Sequence, residues 1–326
     1  MSRWQRTAAL LALDNITTSL RLTSGTPHQR RRSGMEVGVG GAAAVRTSPL
    51  SGDELVEFYE RGWLRVGRVI DDAMLDRVRD EVARQRRGGD EMDLLDPKHW
   101  EKGEGGVPQE PGRNVSFLFN LWRTSDVYRD LVMTPRFGRW AAQALGARRV
   151  RVLEDNALSK DPHTGGALKW HQDYSYWPLA QPSAVTLWIA LDDVTVENGA
   201  MLMANGSHLR GEKLPAVFGT GAIYFRERRP KTVEQIVDPT SIGIDVEPMT
   251  MRAGEASLHH SLTWHASGAN GTPHPRRAAV CRYVADGTVW LGERRYEYNY
   301  SSEQCGLAVG DPIGGEYFPL VPEETA

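Results

Sequence analysis

Only two cysteines, Cys281 and Cys305, occur in 326 residues, so no disulfide framework holds this chain together. A reducing compartment, the cytoplasm, is the natural expectation. Long apolar runs are missing as well. The longest near the N-terminus, Ala8 to Leu13, falls far short of the roughly 20 residues a membrane-spanning helix needs, and no membrane role is expected. Charge of one sign is also lacking: 39 Lys and Arg against 42 Asp and Glu leave a formal net charge of −3. That balance gives no general attraction to nucleic acid or anionic lipid. What is present, 40% apolar and 25% charged residues, suffices for a full core. The length suits one elaborated domain better than two.

The first 45 or so residues differ from the rest. They hold few acids, the run Arg30-Arg31-Arg32 and a Gly/Ala stretch from Gly38 to Ala44, a composition that builds no packed core. The expectation is a disordered extension or a misassigned start with Met35 as initiator, ahead of one domain over 46–326. A targeting segment is the alternative.

Ser51-x-x-Glu54 ahead of Leu55, Phe58 and Tyr59 is a capping-box pattern that predicts a first helix. A second is expected from Asp72 to about Arg86, with Leu75, Val78 and Val82 on one face. Thr134-Pro135 opens a third that carries Phe137, Trp140, Ala141 and Leu145 and stops at Gly146. After Arg149 the texture becomes short β-rich runs: Val150 to Leu153, Leu168 to Asp173, Ala184 to Asp192, Ala200 to Ala204, Ser257 to Thr263 and Ala278 to Val284. Glu197-Asn198-Gly199 reads as a hairpin between two of them. Helices packed on a double-sheet barrel of jelly-roll type, a double-stranded β-helix with flanking N-terminal helices, account for this order. The loops Asp90 to Gly112 and Arg210 to Thr240 are long enough to carry substrate selection.

His171-Gln172-Asp173 carries the chemistry. In an extended strand positions two apart share a face, so His171 and Asp173 can hold one metal ion while Gln172 points elsewhere. The pair alone is weak, since nine histidines give about half a chance occurrence of His-x-Asp in a chain of this size. The glycines before it and the aromatics around it fit a strand entering a lined pocket. Two imidazoles and a carboxylate would complete a facial triad that leaves three iron positions open. The third ligand must come from another strand, where His265 competes with His259 and His260; periodicity alone does not choose. If the run from Ala278 is the returning antiparallel strand, the Gly/Pro-rich turn after Asn270 brings Arg276 near His265. Arg276 could then anchor a carboxylate. Its neighbour Arg277 should face the other way.

Trp170-His171-Gln172-Asp173, Asn205-Gly206-Ser207-His208, and His265-x-Ser267-Gly268-x-Asn270 followed by Arg276 resemble the phytanoyl-CoA dioxygenase family of iron(II)/2-oxoglutarate-dependent oxygenases. The resemblance runs from about Leu50 onward. It implies that His171, Asp173 and His265 bind Fe(II), that Arg276 and Ser267 hold the distal carboxylate of 2-oxoglutarate, and that Gln172 lies near this cosubstrate. Dioxygen is the other cosubstrate it implies. The expected reaction is hydroxylation of an unactivated C–H bond in a small molecule, with secondary-metabolite tailoring favoured over an acyl-CoA ester. A non-enzymatic metal-binding barrel is the reading from a different class, and retention of Arg276 argues against it.

Tyr174 and Tyr176, close behind the metal strand, and Trp188 are candidate substrate contacts. For the tryptophans core packing is the blander reading. The chain could act as a monomer or a homodimer.

Overall fold

The computed structural model describes residues 44–87, 115–163, 166–214, 234–292 and 300–324. The N-terminal extension, and most of the two loops expected to select substrate, lie outside these residues.

At the N-terminal end of the domain, local signals work as their chemistry requires. Helix α1 (Gly52–Arg61) opens on a complete capping box: the Ser51 hydroxyl accepts from the Glu54 amide, and the Glu54 carboxylate accepts from the Ser51 amide. It closes on Gly62, whose φ of 82° is left-handed. Strand β1 (Trp63–Arg68) follows, then α2 (Asp72–Arg87). Strand β2 (Val115–Phe119) and helix α3 (Asp126–Val132) were not marked by hydrophobic periodicity; the Ser125 hydroxyl caps α3. Helix α4 (Pro135–Leu145) has proline in its first turn and a left-handed Gly146 at its end, as the sequence predicts.

Nearly everything after α4 is strand: β3 (Val150–Lys160), β4 (Leu168–His171), β5 (Ala184–Ala190), β6 (Met201–Ala204), β7 (Val246–Met249), β8 (Glu255–His260), β9 (His265–Ser267) and β10 (Arg276–Ala285), with a last short helix α5 (Ser302–Cys305). They form two antiparallel sheets, a six-stranded one in the order β1-β8-β5-β10-β3-β2 and a four-stranded one in the order β4-β9-β6-β7. This is the jelly roll expected.

Alternation along the six-stranded sheet divides its two faces. Leu187, Ile189, Leu258, Cys281 and Tyr283 pack with Phe58, Val78, Val82, Phe137 and Trp140 of the helices. On the opposite face Trp188, Ala190, Ala278 and Val280 meet Met201, Met203 and Met249 of the smaller sheet. The interior between the sheets is therefore lined by residues of one parity in each strand.

Several boundaries differ from the sequence reading. Strand β3 continues past Leu153 to Lys160, and β4 ends at His171, where Asp173 starts a 3₁₀ turn. Strand β5 stops at Ala190. The turn at Glu197–Gly199 is no hairpin: it carries the chain from β5 in the larger sheet to β6 in the smaller. Strand β10, likewise, lies in the larger sheet while β9 lies in the smaller, so His265 and Arg276 approach from opposite sheets.

Asp155 sits on the helix-facing side of β3. It is fully buried, and its two carboxylate oxygens accept the amides of Leu121 and Trp122, each at 3.1 Å. Asp155→Ala would leave two buried N–H groups unpaired and should lower stability by about 2–4 kcal/mol, read as a lower denaturation midpoint in urea at unchanged slope. A midpoint equal to that of the parent chain would show that the turn after β2 does not depend on this cap.

Candidate functional site

His171 ends β4 and pairs directly with His265 at the start of β9. The two rings stand 4.1 Å apart, centroid to centroid. Gln172 is extended, with φ −130° and ψ 141°, so the residues on either side of it face the same way and Asp173 joins the two imidazoles. One ligand atom from each of the three lies within 4.8 Å of the others, and all three residues are buried. The imidazole Nδ1 of His171 faces the Lys169 carbonyl at 2.7 Å, and that of His265 faces the Thr263 carbonyl at 3.0 Å. A carbonyl only accepts, so each ring carries its proton on Nδ1. Both Nε2 lone pairs are thereby left for a metal, an arrangement in which the partner of the far ring nitrogen fixes the tautomer.

The electrostatics favour the metal-binding protonation states. Burial pushes the imidazole of His171 below its ordinary range, and burial together with His171 pushes that of His265 well below. For Asp173 burial works upward but is outweighed by Arg282, His259 and His265, which hold its carboxyl well below the usual range. Two neutral imidazoles and one carboxylate suit a divalent transition metal such as iron(II).

A second feature of the interior is cationic. Arg276 and Lys160 are directly paired on β10 and β3, and both are at most 1% exposed. Arg276 donates through Nη2 to the Gly199 carbonyl at 2.6 Å, while its Nε and Nη1 are buried without a hydrogen-bond partner among the described residues. Lys160 Nζ donates to Ser267 Oγ at 2.8 Å and to the Gly268 carbonyl. Burial, with Arg276 beside it, draws the Lys160 ammonium down to about 6; burial draws Arg276 down to about 10. Arg277, by contrast, turns outward and is paired with Asp192 at 2.8 and 2.9 Å. A buried guanidinium with donors unused among the described residues, beside an amine that an anion would help to charge, fits an anionic ligand.

The remaining candidates divide. Ser267 belongs to this cationic corner through Lys160. Gln172 does not join the site: its Nε2 donates to the Gly211 and Leu262 carbonyls, and its Oε1 accepts from Ser175 and Lys213. Its hydrogen-bonding capacity is spent on bracing the turn after β4. Tyr174 is also structural, donating to the Leu179 carbonyl and packing among Trp177, Trp290 and Phe318. Tyr176 lies edge-on to His171 at 6.2 Å and is partly exposed. Trp188 is buried under the guanidinium of Arg276, 5.4 Å from it. Of the competing histidines, His259 points inward onto Asp173 and His260 packs toward Phe58 and His208.

Sequence reasoning passed over Lys160, Thr186 and Arg282. The available signal was parity: Arg282 lies six residues beyond Arg276 on one strand, and Lys160 lies six beyond Glu154 on another, so each pair faces inward together.

The phytanoyl-CoA dioxygenase (PhyH) family model matches residues 58–278, more than half of the chain, and the protein belongs to that family. Among curated proteins it is 28% identical over 200 residues to phytanoyl-CoA dioxygenase domain-containing protein 1 of Mus musculus, covering 58% of this chain and 64% of that protein. It is 30% identical over 171 residues to phytanoyl-CoA dioxygenase of Arabidopsis thaliana, covering 52% and 57%. The chain thus spans less than two thirds of the length of these relatives. Among solved structures, the non-heme alpha ketoglutarate dependent carbocyclase SnoK from nogalamycin biosynthesis superposes with a TM-score of 0.63 at 27% identity, over 84% of this chain and 97% of SnoK.

Cobalt(II) titrated into metal-free protein should bind at the triad, and His171→Ala and His265→Ala should each weaken it by at least about 100-fold. Both imidazoles are lowered, so affinity should fall less between pH 8 and pH 6 than it would for histidines at their ordinary values. Two histidines of ordinary pKa near 6.5 would lose more than about tenfold over that range. A loss of that size would show that the ligands are not the depressed pair.

Proposed function

We propose that this protein is an iron(II)- and 2-oxoglutarate-dependent dioxygenase that hydroxylates an unactivated C–H bond of a small molecule. The observation that carries the reading is one interior holding both the His171, Asp173 and His265 cluster and the buried Arg276, whose Nε and Nη1 have no hydrogen-bond partner among the described residues. A metal-binding barrel without oxygenase chemistry has no use for the second.

His171 and His265 would hold the metal through Nε2 and Asp173 through one carboxylate oxygen, which leaves three positions for exogenous ligands. Iron bound there, with 2-oxoglutarate and dioxygen, supplies the oxidising power for C–H cleavage as the keto acid is converted to succinate and carbon dioxide. The chain itself supplies placement. Arg276 offers Nε and Nη1 to the distal carboxylate, the Ser267 hydroxyl adds a donor once Lys160 turns toward the anion, and Trp188 forms an apolar wall against the guanidinium. Burial of all of these excludes water and strengthens each contact. Tyr176, beside His171 and partly open to solvent, is the substrate contact this reading retains. The likeness to SnoK supports tailoring of a small metabolite in preference to an acyl-CoA ester.

Mixed anaerobically with iron(II) and 2-oxoglutarate, the protein should develop the visible charge-transfer band of a chelated keto acid, and His171→Ala should not. Arg276→Ala removes a charge-assisted contact worth about 1.5–3 kcal/mol and should raise the 2-oxoglutarate requirement about 10- to 100-fold with metal still bound. Unchanged cosubstrate affinity in that variant would reject the assignment.

Lys160 gives the site a pH signature. Its ammonium is drawn down to about 6 and a carboxylate favours the charged form, so affinity for 2-oxoglutarate should fall as pH rises from 6 to 8. The slope should vanish in Lys160→Met. A slope that survives in Lys160→Met would assign the effect to another group.

A further inference from the structure

Four inward-facing residues of the larger sheet lie in one cross-strand row. His259 on β8 is registered with Thr186 on β5, Thr186 with Arg282 on β10, and Arg282 with Glu154 on β3. Three of the four converge on a single atom. Thr186 Oγ1 donates to Asp173 Oδ2 at 2.6 Å, His259 Nε2 lies 3.3 Å from the same oxygen, and Arg282 Nε lies 3.8 Å from it. The carboxylate only accepts, so His259 presents Nε2–H. Glu154 holds Arg282 in turn, its Oε1 2.9 Å from Nη1, and with its amide oxygen turned toward the guanidinium Asn156 accepts from Nη1 at 2.5 Å. The other carboxylate oxygen, Oδ1, faces the ligand nitrogen of His265 at 3.8 Å.

We propose that Thr186, His259 and Arg282 are positioning residues that occupy Oδ2 of Asp173 and so confine this carboxylate to one-oxygen coordination of the metal. The inference rests on the metal-binding part of the proposed function and on none of its cosubstrate chemistry. A carboxylate free at both oxygens can chelate, which would fill a fourth position on the metal. Two donors and a cation on Oδ2 use its lone pairs and fix the plane of the group, leaving Oδ1 alone to bind. Three positions then stay open. Because the three groups come from adjacent strands at one register, the clamp is as rigid as the sheet.

The clamp predicts a pattern that a merely structural role would not produce. With metal-free full-length protein and cobalt(II) as the probe, Thr186→Val, which keeps the side-chain shape and removes the donor, should weaken binding about tenfold. It should also change the visible ligand-field spectrum as Oδ2 becomes available, and Thr186→Ser, which keeps the donor, should restore both to within about twofold. His259→Leu should weaken binding similarly and His259→Gln, which keeps a donor, should recover it; this second pair carries the test if Thr186→Val does not fold. His171→Ala marks the level of no site. Wild-type affinity no better than that of His171→Ala would overturn the proposed function and this inference with it. Wild-type binding matched in affinity and spectrum by Thr186→Val and His259→Leu would overturn this inference alone.

Discussion

An ionised carboxylate in the interior of a barrel is the constraint around which this site is built. Asp173 is 5% exposed, and a lone carboxylate so placed would cost several kcal/mol or take up a proton. The larger sheet supplies what keeps it charged: a short hydroxyl donor, an imidazole and a guanidinium, all from one row. Register is what aligns them. A slip of one residue in β10 would send Arg282 toward the helices and bring an apolar neighbour against Asp173. The helix-side packing of Cys281 and Tyr283, buried with Phe58 and Trp140, therefore also secures the electrostatics of the opposite face. Fold and site are stabilised by the same alternation.

The interior is divided by charge along the strands. Asp173 and Glu154 lie toward one end, with Arg282 between them, and Arg276 and Lys160 lie at the other. Between the two ends β10 and β5 contribute Ala278, Val280, Trp188 and Ala190. Such apolar residues keep the effective dielectric low, so a negative group at the cationic end interacts far more strongly than it would in water. A ligand with a metal-chelating end and a carboxylate end matches that division better than any single anion does.

Legibility from sequence followed the physics of each segment. The caps of α1 and α4 were readable because they are local: Ser51 with Glu54, and Pro135 with Gly146, act within a few residues. His171, Asp173, His265 and Arg276 were readable from spacing joined to a family likeness, and the structure brings the first three together. Strand β3 was readable only as far as Leu153, because the next residues, Glu154, Asp155 and Asn156, resemble a loop when hydrophobic alternation is the guide. They are strand residues whose partners lie far away in sequence: Arg282 for Glu154, and the amides of Leu121 and Trp122 for Asp155. Lys160 was lost with them. A strand that lines a polar cavity loses the pattern that identifies strands, so the residues nearest the chemistry were the hardest to assign. For Gln172 strand alternation and the family likeness pointed different ways: alternation turned its side chain from the metal pair, the likeness set it near the cosubstrate, and its amide is engaged by the Leu262 carbonyl.

Glycine completes the cationic end. A Cβ on Gly199, at φ 84°, would lie 2.5 Å from the Gly268 carbonyl oxygen and 3.0 Å from that of Ala269. The turn that carries the chain from the larger sheet to the smaller thus lies directly on the segment following β9, a separation that no side chain permits. Each backbone then presents a carbonyl inward, that of Gly199 to Arg276 and that of Gly268 to Lys160. Those two contacts aim the guanidinium and the amine without supplying a countercharge, because a carbonyl accepts a hydrogen bond but carries no net charge. Had the turn supplied a carboxylate, as Asp192 does for the outward-facing Arg277, the corner would be internally satisfied and closed to an anion. The absence of a side chain at Gly199 is what lets the two loops cross here and leaves the buried guanidinium of Arg276 aimed and still available.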